Sequence, residues 1–130
     1  MIPFAGWVMN KPLYERLGGH EAIFATVHAF YSKVMADPEL SPFFTHLNMQ
    51  AQADKQIAFL TMAFGGPSRY SGRDLRTAHA GLVARGLGDL HFDRIALHLK
   101  DTLNELAVPS GLVGEVLGIV ESTRKDVLGR

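Results

Sequence analysis

Cysteine is absent from this 130-residue chain. The absence excludes disulfides, thiolate nucleophiles, zinc ribbons and cysteine-ligated iron–sulfur clusters, and it fits a reducing compartment, the cytoplasm. Charge of one sign is scarce as well. The 13 basic and 13 acidic residues are interspersed, so there is neither a basic stripe for nucleic acid nor a solvating acidic tail. No apolar run approaches the roughly 20 residues of a membrane-spanning helix. The apolar start, with Phe4 and Trp7, lacks the basic region and small-residue cleavage pattern of a signal peptide, so there is no strong membrane signal. Residues 1–12 read as an arm that packs on the body or frays.

Alternation with period two is also missing, and no repeat or low-complexity tract replaces it. Helical spacing dominates instead. Ile23, Val27, Phe30, Tyr31 and Val34 form one stripe between Glu21 and Ala36, ended by Asp37-Pro38. A short helix over 12–17 precedes it and stops at Gly18-Gly19, a pair that tolerates the positive backbone angles of a sharp corner. A third helix runs from about Met49 to Phe64, with Ala53, Gln56, Ile57, Leu60 and Phe64 on one face, and ends at Gly65-Gly66-Pro67. A short helix spans about Arg73 to Gly81, capped by Ser71. Two amphipathic helices follow, one through Phe92, Ile95, Leu99, Leu103 and Leu106 and one from Ser110 through Val113, Val116, Leu117, Val120, Val127 and Leu128. The adjacent Phe43 and Phe44 must bury something, because both exposed would leave a large apolar patch. The chain is all-α, with one domain over 13–130.

Hydrolytic apparatus is not visible. The six histidines form no His-Glu-x-x-His pair, His91 and His98 lie too far apart on one helix for a single small ion, and no Gly-rich phosphate loop occurs. Haem makes a different demand: one axial nitrogen, an apolar and aromatic wall, and a few polar donors on the far side. His79 can supply the nitrogen, and Phe30, Phe43, Phe44, Phe59 and Phe64 can form the wall. Taken by itself, His79 reads first as a surface or satisfied core histidine rather than a ligand. His28 and His46 read as solvent-facing or capping side chains rather than iron ligands, and Tyr14 and Tyr70 as packing residues with wet hydroxyls.

The segments that change this balance are Leu13 to Ile23, Phe30-Tyr31, Pro42-Phe43-Phe44, Ala58-Phe59-Leu60, Gly65-Gly66-Pro67, Ser71-Gly72-Arg73, the Leu-x-x-x-His ending at His79, and His98-Leu99. In this order and spacing the chain resembles a truncated haemoglobin, and among that family's three groups it is most similar to group I. The resemblance covers Leu13 to Val127 and implies a two-over-two helical sandwich around haem b. It further implies His79 as proximal ligand, Phe44 against the porphyrin, Tyr31 as distal tyrosine, and Gln52 and Gln56 as distal glutamines. Lys55 then reaches a haem propionate, while Phe30, Phe59, Phe92 and the aliphatic Ile95 contribute to the wall. The segment from Ala80 to His91 is longer than the resemblance implies, and the apolar arm differs from the charged extension of some relatives.

Positions 52 and 56 share a helix face, with Lys55 toward its rim. A phenol and amide donors hold a gas that gains negative charge on binding, by roughly 1.5–3 kcal/mol per charge-assisted bond, so oxygen is expected to leave slowly. The resemblance implies reversible oxygen binding and nitric oxide dioxygenation to nitrate, with Tyr31, Gln52 and Gln56 as the catalytic distal groups. The expected partners are O2, NO and CO as small ligands and a reductase that returns the iron to its ferrous state. Oxygen storage or sensing, or peroxidase-like chemistry without nitric oxide turnover, is the alternative. A haem-free helical interaction domain is disfavoured, since it would leave the buried phenol and amides without an assigned role.

Overall fold

The computed structural model describes residues 12–45, 47–65 and 75–130, and among these every regular element is helical. In chain order they are α1 (Leu13–Leu17), α2 (Gly19–Ala36), a 3-10 turn (Ser41–Phe43), α3 (Met49–Ala63), α4 (Leu75–Ala84), α5 (Asp89–Glu105), α6 (Ser110–Ser122) and α7 (Arg124–Leu128). The α2–α3 pair packs on the α5–α6 pair, a two-over-two sandwich in which α2 touches α1, α3 and α5. The glycine corner that starts α2 is as the sequence indicates. Gly18 takes φ 115° and Gly19 φ 75°, and a Cβ on Gly18 would come within 3.1 Å of the Ala22 Cβ, so both the backbone angle and the missing side chain are required.

Every residue of the α2 stripe is buried, with Val27 and Val34 fully covered. They join Leu60, Leu99, Leu103, Val113 and Val116 in one core. A fully buried side chain of this kind stabilises by about 1.5–3 kcal/mol, whereas the exposed Arg16–Glu115 and Lys33–Glu105 pairs add little. Apolar burial therefore holds the layers together. The two buried threonines of the facing helices are satisfied internally, Thr26 Oγ1 donating to the Ala22 carbonyl and Thr102 Oγ1 to that of His98.

Three boundaries differ from the periodicity. The helix carrying His79 continues past Gly81 to Ala84, and the stop comes at Gly86, φ 105°. There Gly86 N–H donates to Val83 O and Leu87 N–H to Leu82 O, a Schellman closure that needs a left-handed residue. The added length after His79 is thus taken up as helix and cap. The last helix is two, because Thr123 folds back on Val120 through both its N–H and its hydroxyl; the break lets α7 turn onto α4 and bury Leu128. Leu106 is 43% exposed rather than inward, since it caps α5 just before Ala107 takes φ 61°.

One buried charged group ties the layers together. Asp37, the C-cap of α2, is buried; its carboxylate accepts from Arg94 Nε and Nη2 at 2.8 and 2.9 Å, from His98 Nε2 at 2.7 Å, and from the Glu39 N–H at 2.9 Å. Hydrogen bonds from Arg94 and then His98 hold its carboxyl well below the usual 3.8. A folded-state pKa below the unfolded one gives stability that is present above the unfolded value and is lost as pH falls below it. Asp37→Asn is expected to lower the unfolding temperature near neutral pH, with the gap to the parent narrowing in thermal melts recorded below pH 3.8.

Candidate functional site

His79 lies on α4, whose residues Leu75, His79, Leu82 and Val83 share one face by helical spacing. No residue of α4 is buried, although the helix is apolar, and its main packing partner is α7. The half-buried His79 ring places Nδ1 2.9 Å from the Leu75 carbonyl oxygen. A carbonyl only accepts, so Nδ1 carries the proton and donates. That fixes the tautomer in which Nε2 keeps its lone pair, the arrangement an axial imidazole needs. Haem, the group that the sequence implies, fits these observations: a ligand nitrogen of set tautomer on an apolar face the polypeptide leaves partly open.

Donors of the opposite kind sit on α2 and α3. Tyr31 is buried on the inner stripe, its ring 5.3 Å from Phe30 and edge-on to Phe44 at 6.2 Å. Burial pushes its phenol up to about 12, partly offset by a hydrogen bond with the Gln52 side chain. Tyr31 is therefore a neutral O–H donor at any physiological pH. Asn48 starts α3, its side chain accepting from the Ala51 N–H at 3.0 Å, which sets the register that carries Gln52 to Tyr31. Gln56 is half-buried one turn further on, and Lys55 is exposed at the edge of that face.

The aromatic wall divides in the structure. Phe30 is buried and Phe44, Phe59 and Ile95 are half-buried against the core. Phe64 belongs to the core itself: its carbonyl accepts the Tyr14 N–H, and its ring lines an apolar cavity of about 230 Å³ with Ile23, Leu60 and Val116. Phe43 and Phe92 are buried apart from that core. Phe92 lies under the Arg124 guanidinium, 4.4 Å from its ring centre, and Arg124 is held by Asp89, Asp93 and Glu121. Phe43 meets His91 edge-on at 4.9 Å and Arg85 at 5.6 Å, while Arg85 Nη2 donates to the Pro42 carbonyl at 3.0 Å. This clasp ties the 3-10 turn to the end of α4 and the start of α5, where His91 Nδ1 accepts the Gly88 N–H. Sequence reading misses it, because Gly88 has no capping side chain to flag the start of α5.

The remaining histidines are placed plainly. His98 is committed to Asp37, His20 is exposed, and no group of three or more His, Cys, Asp or Glu able to hold a metal ion occurs among the described residues. His28 is not solvent-facing. It is half-buried, its ring tilted 42° against Phe24 at 4.2 Å between ring centres, and its Nε2 is buried with no hydrogen-bond partner. Tyr14 is buried in the core. His46, Tyr70, Ser71, Arg73 and Trp7 lie outside the described residues.

With this geometry in view, comparison with known proteins is consistent throughout. The family model for bacterial-like globins matches residues 12–128. A group 1 truncated haemoglobin of Tetrahymena pyriformis is 44% identical over 124 residues, covering 94% of this chain and 100% of that protein, and one from Chlamydomonas moewusii, LI410, is 47% identical over 116 residues, 89% of this chain and 67% of its own. Among solved structures, the 2/2 haemoglobin of Synechococcus sp. PCC 7002, cyanomet with covalently attached haem, superposes with a TM-score of 0.88 at 46% identity, covering 92% of this chain and 100% of that one. The ferric truncated haemoglobin of Tetrahymena pyriformis gives 0.85 at 42% identity over the same shares. No described helix is long and apolar enough to cross a membrane. An apolar helix presenting an imidazole with a free Nε2, a buried phenol bonded to a helix-borne amide, the 2/2 architecture and the family match together place this chain in the haem- and oxygen-binding globins, as a group 1 truncated haemoglobin.

Proposed function

We propose that this protein holds haem b on His79 Nε2, binds oxygen reversibly in the ferrous form, and converts nitric oxide to nitrate in the cytoplasm, with a reductase restoring ferrous iron. The observation that carries this reading is the pairing of Tyr31 with Gln52: a phenol kept protonated by burial and oriented by an amide, with Gln56 one turn along the same helix. Haem supplies the iron that binds the diatomic gas and gives up one electron as oxygen and nitric oxide become nitrate. The Leu75 carbonyl orients the imidazole and raises its basicity through the Nδ1–H bond. Tyr31 and Gln56 stabilise the negative charge that develops on the gas, and Gln52 keeps the phenol aimed. Phe44, Phe59, Ile95 and Phe30 keep the site apolar, and Lys55 at its edge would pair with a propionate. The apolar cavity of about 230 Å³ among α2, α3, α5 and α6 favours uncharged O2, NO and CO over ions.

Three outcomes are expected. His79→Gly removes the axial nitrogen: the stoichiometric Soret band and the proximal-histidine signature of the reduced protein disappear, and added imidazole restores them. A spectrum indifferent to this substitution rules out His79 as ligand. Tyr31→Phe raises the oxygen dissociation rate by roughly ten- to hundredfold, the equivalent of one charge-assisted hydrogen bond, as read by stopped-flow displacement with carbon monoxide. Rapid mixing of the ferrous-oxygen protein with nitric oxide yields nitrate and ferric protein in equal amounts; slow oxidation without nitrate leaves oxygen binding in place and removes the dioxygenase reading.

A further inference from the structure

The helix that carries His79 is held only loosely by its own packing. α4 has ten residues, none of them buried, and rests mainly on α7, which has five. Helices this short are marginal by themselves, so each takes its place from its neighbours. α7 offers one buried side chain, Leu128, and Arg76 Nη2 of α4 donates to Asp126 of α7 at 3.1 Å as an exposed pair. Whatever fixes α7 therefore decides where His79 sits. Both ends of α7 run to one carboxylate. Arg124, its first residue, donates from Nη1 to Asp89 Oδ1 at 2.9 Å, and Arg130, shortly beyond its last, forks onto Asp89 from Nη1 and Nη2 at 2.6 Å each. Asp89 belongs to α5, which it begins. Hydrogen bonds from Arg130 and then Arg124 hold its carboxyl below the usual carboxylate range. Arg124 is further set by Asp93 and Glu121 and by the Phe92 ring beneath it. An isolated exposed pair adds little, but a bidentate arginine fork within a network of charges is the exception.

We propose that Asp89 is a positioning residue for His79: by receiving Arg124 and Arg130 it pins both ends of α7, α7 seats α4, and the seat of α4 sets how firmly and how uniformly the imidazole holds haem iron. Two anchors at opposite ends of a helix fix its direction as well as its place. Without them α7 would keep Leu128 and the exposed Arg76–Asp126 pair, and α4 would open with it, since segments with few buried contacts unfold locally at little cost. The competing role for Asp89 is local, because an acidic residue in a first turn favours its own helix through the helix dipole. That role would stabilise α5 and leave α4 unchanged. The consequence for haem rests on the function proposed above; the seating of α4 does not.

The test uses the haem-loaded protein and its haem-free form. Asp89→Asn keeps the shape of the side chain and removes its charge. In the ferrous variant the iron–histidine stretching band of the resonance Raman spectrum is expected to shift and broaden, and haem to pass to excess apomyoglobin about tenfold faster, the lower end of what losing an orienting partner costs. Raising the salt to about 1 M, where charges are screened beyond ~3 Å, moves the parent toward the variant and leaves the variant unchanged. Asp89→Glu retains the carboxylate and restores the parent values. Glu105→Gln, which breaks the exposed pair with Lys33 elsewhere on the surface, alters neither readout. In the haem-free protein, amide hydrogen exchange across residues 75–84 quickens in Asp89→Asn more than exchange across α5. A band and a haem-loss rate unchanged in Asp89→Asn, or exchange quickened in α5 alone, overturns the proposal and leaves Asp89 as a helix-start residue. Should the parent fail to hold haem through His79, the haem reading falls separately, and the exchange across α4 decides the seating by itself.

Discussion

The burial of one face of α2 is the constraint on which the other features depend. Val27 and Val34 are fully covered, and Ile23, Phe30 and Tyr31 lie along the same line, so α3 and α5 must both close on this stripe. Tyr31 is carried inward because it occupies a stripe position, not because a phenol prefers the interior. Once there, it needs a hydrogen-bonding partner, and Gln52 on α3 provides one. The same closure brings Asp37, at the end of α2, to Arg94 and His98 of α5. The Tyr31–Gln52 pair and the interlayer ion cluster are thus two consequences of one packing decision.

Electrostatics contributes orientation more than cohesion. Most ion pairs here are exposed, as at Arg16–Glu115 and Lys33–Glu105, and pairs of that kind contribute little. Asp37 differs because its carboxylate is almost completely covered and accepts three side-chain bonds, leaving a single way for the end of α2 to meet α5. His79 and His91 show the same economy on a smaller scale. Each has one ring nitrogen committed to the backbone, His79 donating to Leu75 and His91 accepting from Gly88, so each has a tautomer defined by a backbone group.

Much of this was legible beforehand. All five stripe residues of α2 are buried as the spacing indicates, the Gly18-Gly19 corner takes the predicted backbone angles, and Asp37 ends its helix. Those features are local: side-chain period, glycine freedom and capping act within a few residues. What failed was also local in sequence but decided at a distance. Gly81 reads as a stop, yet the helix runs on to a Schellman closure at Gly86; the apolar run from Val113 to Leu128 reads as one helix, yet breaks at Thr123 so that α7 can cover α4. His28 reads as solvent-facing because it sits beside the stripe, yet its ring lies against Phe24 and its Nε2 is buried.

By itself, then, the sequence determined the helical class, the absence of thiol chemistry, the inward face of each long helix, and the few residues with chemistry to offer: His79, Tyr31, Gln52 and Gln56. Periodicity and residue inventory suffice for that, since both are properties of single elements. The tertiary structure decided which of those groups meet and in what state. The protonation of the Tyr31 phenol depends on how much water surrounding helices remove; the free nitrogen of His79 depends on the direction of one carbonyl; the half-open apolar face of α4 depends on which helices pack against it. Desolvation and hydrogen-bond geometry are properties of a neighbourhood, and a neighbourhood exists only after the helices have packed.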